Sequence, residues 1–290
     1  MYIILYNPLS KNKKAKRTTK KVVDAFKKEK VPFRLKSLLK IKDIEDYIKK
    51  TPKNIKILLL GGDGTINTFI NKTFNLAIEN EIYLKGNGSG NDFLRSLKRQ
   101  KPTKQAIMRL TYNDKNRYFM NGSGFGLDGQ IAHLVNQSVR KNRFNYFVNT
   151  LKSFFTFKPK YTEVSIDSKL YTFKKAYLVN VNNGECIGGG MRITPQARLD
   201  EPSVDVVVVH RIPKPFLFFI FLSVYFGKHT FFKRYVFYKK GKHVKATMFS
   251  PQVSQCDGET FEKTSEIEIS PTNKFANFKV FDMNDVLKNT

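Results

Sequence analysis

The sequence predicts an α/β plus β chain of two domains, a parallel sheet covered by helices followed by a β-sandwich. Three observations carry that expectation. The chain has 290 residues, long for one hydrophobic core. Its first hundred residues alternate apolar strand-like runs with helical patterns, as a helix-covered parallel sheet requires. After Thr103 the pattern changes to alternating and β-branched runs bounded by Gly, Pro, Asn and Asp, the mark of a mainly β region.

In order, YIILYN is a short apolar strand, and Lys13 to Lys28 has helical spacing with Val22, Val23 and Phe26 on one face. VPFRLKSL is a second strand, Lys42 to Lys50 a helix with Ile44, Tyr47 and Ile48, and IKILLL a third strand. INTFINKTF continues as a helix and EIYLKG as a fourth strand. The second half opens on a strand pair turning at Asn113-Asp114. It continues with YTEVSID, LYTFKKAYLVNVNN, SVDVVVVHR, KHVKATMFS and SEIEIS. Helical pieces interrupt it near Ile131 to Phe155 and Pro215 to Tyr235. The expected boundaries are 1–104 and 105–279, with 280–290 packing back on the first domain.

Composition narrows the partners. A net charge of +28 attracts polyanions over a Debye length of about 8–10 Å. Nucleic acid, an anionic membrane surface and phosphorylated small molecules all answer to that charge. Cys186 and Cys256 show neither metal-ligand spacing nor a disulfide framework. MYIILYNP lacks the pattern of a signal peptide. Phe216 to Phe226 is apolar but shorter than the roughly 20 residues that span a bilayer. A cytoplasmic setting is the expectation.

Two strand ends carry the chemistry. IKILLL leaves through Gly61-Gly62-Asp63-Gly64-Thr65, and EIYLKG through Gly86, Gly88 and Gly90 with Ser89, Asn91 and Asp92. Glycines let a backbone approach phosphate, and the helix that follows presents N–H groups and positive potential. Asp63 would repel bare phosphate, so it points to a cation, a water network or proton transfer; alternatively it caps its own helix at Thr65. Consecutive strand ends of a parallel sheet open on one edge, which favours a nucleotide cleft over two decorative turns. The Walker pattern is absent.

GGDGTIN together with GSGNDF resembles the diacylglycerol kinase catalytic-domain family, in its bacterial soluble lipid kinase branch. YNPLS resembles the family's phosphate loop. MNGSGFGLDGQIA, GGGMRITPQARLDEPSVDVVVV, GKH at 227–229 and CDGETFEKTSEIEISP resemble its later segments. The resemblance implies an ATP- and Mg²⁺-dependent lipid kinase with its active site between the domains. It implies that Asn7, Pro8, Leu9, Ser10, Lys11, Ser37, Gly62, Asp63, Gly64, Thr65, Ile66, Asn67 and Ser89 contact ATP. Asp63, Asp92 and Asp128 would hold a Mg²⁺–water network, and Glu259 would be the general base, with Asp257 beside it and Asp63 as a third catalytic group. A structural metal would sit on the Glu201 side chain and the carbonyls of Arg198 and Ser203. Lys11, Thr68, Gly86-Asn87 and Glu201-Pro202 depart from the family pattern.

Diacylglycerol is the expected acceptor, giving phosphatidic acid. The rivals are a soluble-substrate kinase of the NAD-kinase type and a non-catalytic protein that binds anionic membranes or nucleic acid. A membrane lipid and an anionic bilayer surface are the expected partners, with peripheral membrane association during catalysis. A homodimer is compatible with the sequence and no nucleic-acid partner is expected. The apolar run, flanked by Lys214, Lys228, Lys233 and Arg234, suits either an interfacial helix or a core helix. Its apolar character nearly all round favours burial.

Overall fold

Strands that are apolar on both faces must be covered on both, and the first half does this with alternating side chains. The computed structural model describes residues 1–8, 14–87, 91–137 and 143–282. Its first sheet is built from β1 (Tyr2–Tyr6), β2 (Phe33–Ser37), β3 (Lys56–Gly61) and β4 (Ile82–Gly86). These pair parallel in the order β4-β3-β1-β2. Tyr2, Ile4, Leu58 and Leu60 face α1 (Lys14–Lys28), burying Val22 and Phe26. Ile3, Leu5, Ile57, Leu59, Ile82 and Leu84 face the opposite way. There they meet α2 (Ile44–Lys49), α3 (Asp63–Thr73) and α4 (Asp92–Gln100). Each such buried Leu or Ile contributes about 1.5–3 kcal/mol over an exposed one. Asp43 caps α2 by accepting the Asp46 N–H at 3.1 Å.

The second half is antiparallel. It comprises β5 (Gln105–Tyr112), β6 (Lys115–Phe119), β7 (Gly122–Gly126), β8 (Lys160–Ile166), β9 (Lys169–Asn182), β10 (Val204–His210), β11 (Val236–Gly241), β12 (Val244–Cys256) and β13 (Glu259–Ala276). The path runs β11-β10-β9-β7-β12-β13-β5-β6, and β8 pairs with both β12 and β9, folding the sheet back on itself. Two layers thereby enclose Met108, Leu110, Phe119, Phe125, Val179, Val206, Ala246 and Ile269. Outside this core lie α5 (Leu127–Gln137), α6 (Arg143–Thr156) and α7 (Lys214–Val224). After β13 the chain returns to the first sheet, where β14 (Phe278–Val280) pairs parallel with β4.

The helical expectation for Pro215 to Tyr235 is corrected in length. The helix stops at Val224, and His229–Phe231 forms a single 3-10 turn. Gly227 takes φ +69° between them, a left-handed conformation that ends helices. The expected burial holds for one face of the helix only. Leu217, Ile220, Phe221 and Val224 are buried, whereas Phe216, Phe219 and Leu222 are exposed.

The two halves share one apolar cluster, since Ile107, Met120 and Leu199 pack with the side chains of the first sheet. Gln100 of α4 ties them further. Its Nε2 donates to Glu185 Oε1 at 2.9 Å and to the Ala197 carbonyl at 2.8 Å, and its Oε1 accepts the Leu199 N–H at 2.9 Å. The two halves are therefore held in a fixed relation.

Candidate active site

Register brings the strand ends to one edge. Tyr6 aligns with Ser37 and with Leu60, and Gly61 with Gly86. Asn7, Pro8, Ser37, Gly62 and Asn87 consequently follow or close adjacent strands on the same side. Leu9, Ser10, Lys11 and Ser89 lie outside the described residues, as do 283–290. Two residues expected to contact ATP have their side chains engaged within the protein. Ile66 is buried in the apolar cluster, and the Asn67 amide turns away to donate to the Tyr118 carbonyl and Asp257 Oδ2, both at 3.0 Å. The Thr65 and Ile66 N–H groups donate to the Gly62 carbonyl, so a phosphate at α3 would meet the amides that precede them in its first turn.

Asp63 opens α3 but caps its neighbour. Its Oδ2 accepts the Asp92 N–H at 2.8 Å and its Oδ1 the Phe93 N–H at 3.2 Å, the first two amides of α4. The capping alternative is thus met on α4 and not on the helix Asp63 begins. Burial, then the negative charge of Asp92, then that of Asp257, push the Asp63 carboxyl up to about 8. Asp92 Oδ1 pairs with Arg95 at 2.7 Å, and its Oδ2 accepts the Gly189 N–H at 2.8 Å. Burial raises its carboxyl as well, opposed by those two donors. Arg95 and Gly189 are site residues that sequence reading missed. Arg95 was findable, because a cation three residues after Asp92 on a helix shares its face.

The acids of the second half sit in a hairpin. Cys256 pairs with Glu259 across Asp257-Gly258, whose φ values of 48° and 83° give the two-residue turn that Asp-Gly favours. The conditional reading of this stretch as strand, with both acids on one face, is corrected by that turn. Asp257 points into the protein and Glu259 begins β13. The Asp257 carboxylate accepts four donors: Asn67 Nδ2 at 3.0 Å and the N–H groups of Met120, Asn121 and Gly122 at 3.3, 3.1 and 2.9 Å. Burial raises its carboxyl against those donors. With its lone pairs taken, Asp257 is a positioning residue that ties the turn to α3. Glu259 is exposed and reaches α3: a Cβ added to Gly64 would lie 2.5 Å from Glu259 Oε1. Gly64 is therefore required for close approach, and the approach is that of the carboxylate.

Asp128 joins the site indirectly. Its Oδ2 accepts from Asn180 Nδ2 and Gln255 Nε2, each at 2.8 Å. Gln255 Oε1 in turn accepts the Gly258 N–H at 2.9 Å. Burial raises the Asp128 carboxyl, with the two amides opposing. Through these bonds Asp128 is a buried anchor for the turn that carries Glu259.

Two family models match this arrangement. Residues 1–120 match the diacylglycerol kinase catalytic domain, and residues 123–273 the YegS C-terminal NAD kinase beta sandwich-like domain. The chain joins a diacylglycerol kinase catalytic domain to a YegS-type C-terminal domain. The "Diacylglycerol kinase" of Staphylococcus saprophyticus is 25% identical over 272 residues, 88% of each chain. The Bacillus subtilis protein named "Putative lipid kinase YtlR" is 26% identical over 215 residues, 66% of this chain and 68% of its own. Staphylococcus aureus relatives match at 30% over 153 residues, half of their own length. A crystal structure of a diacylglycerol kinase from Bacillus anthracis str. Sterne superposes with TM-score 0.68 at 20% identity, covering 96% of both chains. That likeness speaks for the fold.

Within this diacylglycerol kinase-type frame the two expected metal positions differ. At the cleft, Asp63 and Asp92 present oxygens, the donors that Mg²⁺ prefers. Each of these oxygens accepts one protein donor and keeps a second lone pair, and a cation would relieve the negative charge of Asp92 that acts on Asp63, so these residues fit the ion. At the second position they do not. The carbonyls of Arg198, Glu201 and Ser203 converge on Asn183 Nδ2 at 3.3, 3.0 and 2.9 Å. The Glu201 carboxylate is bonded to Lys240 at 2.7 Å and faces Arg198 Nε at 3.6 Å. An amide and an ammonium already use the oxygens that the expectation gave to a structural metal.

Proposed function

We propose that the chain is an ATP-dependent lipid kinase that phosphorylates the hydroxyl of diacylglycerol, giving phosphatidic acid. The observation that carries this reading is the approach of Glu259 to Gly64, which sets an exposed carboxylate against the first turn of the phosphate-facing helix. A carboxylate there can accept the proton of an incoming hydroxyl. The freed oxygen then attacks the γ-phosphorus as the bond to the leaving ADP oxygen breaks. Phosphoryl transfer depends mainly on positioning and on neutralising charge. Gly62 to Thr65 would lay the phosphates along the N-terminus of α3. Mg²⁺, when bound with ATP, would supply the countercharge, held by Asp63 with Asp92. Asp128 and Gln255 fix the turn, and Asp257 fixes it to α3, so Glu259 meets the hydroxyl on a rigid support. The relatives' names support the kinase class and a lipid acceptor.

The test is transfer of γ-³²P from ATP into diacylglycerol in mixed micelles. Wild type is expected to label the lipid, while Asp63→Asn and Glu259→Ala do not. Label that enters a water-soluble alcohol and no lipid would overturn the acceptor class. An absence of transfer to any acceptor would overturn the kinase reading.

A further inference from the structure

An exposed helix face is ordinarily polar, and α7 breaks that rule. Phe216 and Phe219 on its outer face are 56% and 62% exposed, and Phe226 and Phe231 just beyond it are 72% and 77% exposed. Leu222 and Phe232 are exposed as well, the Phe216 and Phe219 rings lie 6.4 Å apart, and exposed Phe155 at the end of α6 accepts the Lys214 Nζ at its carbonyl at 2.7 Å. The opposite face of α7 is committed to the core through Leu217, Ile220, Phe221 and Val224, so the outer phenylalanines cannot turn inward.

The surrounding charge has one sign. No Asp or Glu occurs from 206 to 256, a stretch with nine Lys and Arg, and none from 129 to 162. Lys228, Lys233 and Arg234 are exposed, and among the described ion pairs none of them meets a carboxylate. The C-terminal end of α7 is linked to the segment that bonds Asp92. Arg192 donates its N–H to the Val224 carbonyl at 3.0 Å, and Gly189, three residues earlier, donates to Asp92. Three residues reach about 10 Å.

We infer that the outer face of α7, with Phe226 and Phe231, docks on an anionic lipid bilayer. The rings enter the boundary between headgroups and acyl chains, and Lys228, Lys233 and Arg234 meet the phosphates. The inference rests on the lipid kinase reading only for its purpose, which is to bring the cleft to the bilayer surface. Exposed rings bordered by exposed cations suit an anionic fluid surface. A protein partner would present a groove.

The chain has no Trp, so Phe219→Trp creates a single reporter. With vesicles of phosphatidylcholine containing phosphatidylglycerol, its emission is expected to shift to the blue and to be quenched by brominated acyl chains. Pure phosphatidylcholine should give at least tenfold weaker binding. In sedimentation with the anionic vesicles, Phe216→Ser/Phe219→Ser/Phe226→Ser is expected to lose at least tenfold in binding while its circular dichroism stays that of wild type. A reporter unmoved on vesicles that do bind the chain overturns the inference, as does unchanged sedimentation of the triple variant. A dimer that hides the reporter before lipid is added overturns it too. Asp63→Asn should bind vesicles like wild type. Vesicle docking without lipid phosphorylation sinks the kinase reading and leaves the docking face standing. Lipid phosphorylation with an unmoved reporter does the reverse.

Discussion

Glu259 and Gly64 form the most exacting pair in the molecule. Removing the base while keeping its shape, Glu259→Gln, should lower turnover about 10²- to 10⁴-fold and leave ATP affinity unchanged; label transfer and nucleotide titration separate the two. Gly64→Ala places a methyl 2.5 Å from the Glu259 carboxylate, the far end of a flexible side chain. The fold can yield by moving that carboxylate, so activity suffers before stability. Turnover should fall at least about tenfold, equivalent to ~1.4 kcal/mol, with little change in melting temperature. The motif residues of this pair were legible in sequence. Their contact was not, because 195 positions separate them and only the closing of the two halves makes them neighbours.

At the scale of elements, the Asp257-Gly258 hairpin and the turn after α7 are each held by a buried polar side chain. Asp257→Ala strands four donors, three of them backbone N–H groups, and should cost on the order of 3 kcal/mol; urea unfolding measures it. His229 in the 3-10 turn is buried, with Nε2 bonded to the Ile193 carbonyl at 2.8 Å. Burial lowers its imidazole to about 4. The unfolded chain then takes up this proton near pH 6.5 and the folded chain only near 4. The stability it contributes is complete above pH 6.5 and is lost as pH falls toward 4, on the order of 3 kcal/mol. Melting temperatures across that window should fall less steeply in His229→Gln than in wild type. Strand β7 shows why one element escaped prediction. GSGFG offers neither alternation nor β-branching, yet it is a central strand, because a Cβ at Gly122 would lie 1.9 Å from Asn182 Oδ1 on the next strand.

For the whole molecule, the interface between the halves is a polar lock around an apolar seam. Glu185 accepts from Arg99 at 3.1 Å, Arg192 at 3.2 Å and Gln100 at 2.9 Å, joining α4 to the second half. Glu185→Ala should cost about 1–3 kcal/mol, less than a fully buried pair because both arginines are partly solvated. Calorimetry should show the wild-type halves melting together and the variant's transition broadening. A single sharp transition in both would mean that the seam of Ile107, Met120 and Leu199 suffices alone.

The sequence by itself determined the alternation of the first half, the β character of the second, and the motifs that lead to the family. Those are local properties, written in the spacing of apolar residues and in glycines beside acids. Tertiary structure decided the rest. It joined the Asn67 amide to the Asp257 carboxylate, left Glu259 exposed, and gave the carbonyls around Arg198 to an amide. It also decided which half of an all-apolar helix would be buried. Each depends on which donor or surface a distant segment brings, and spacing along one chain carries no record of that.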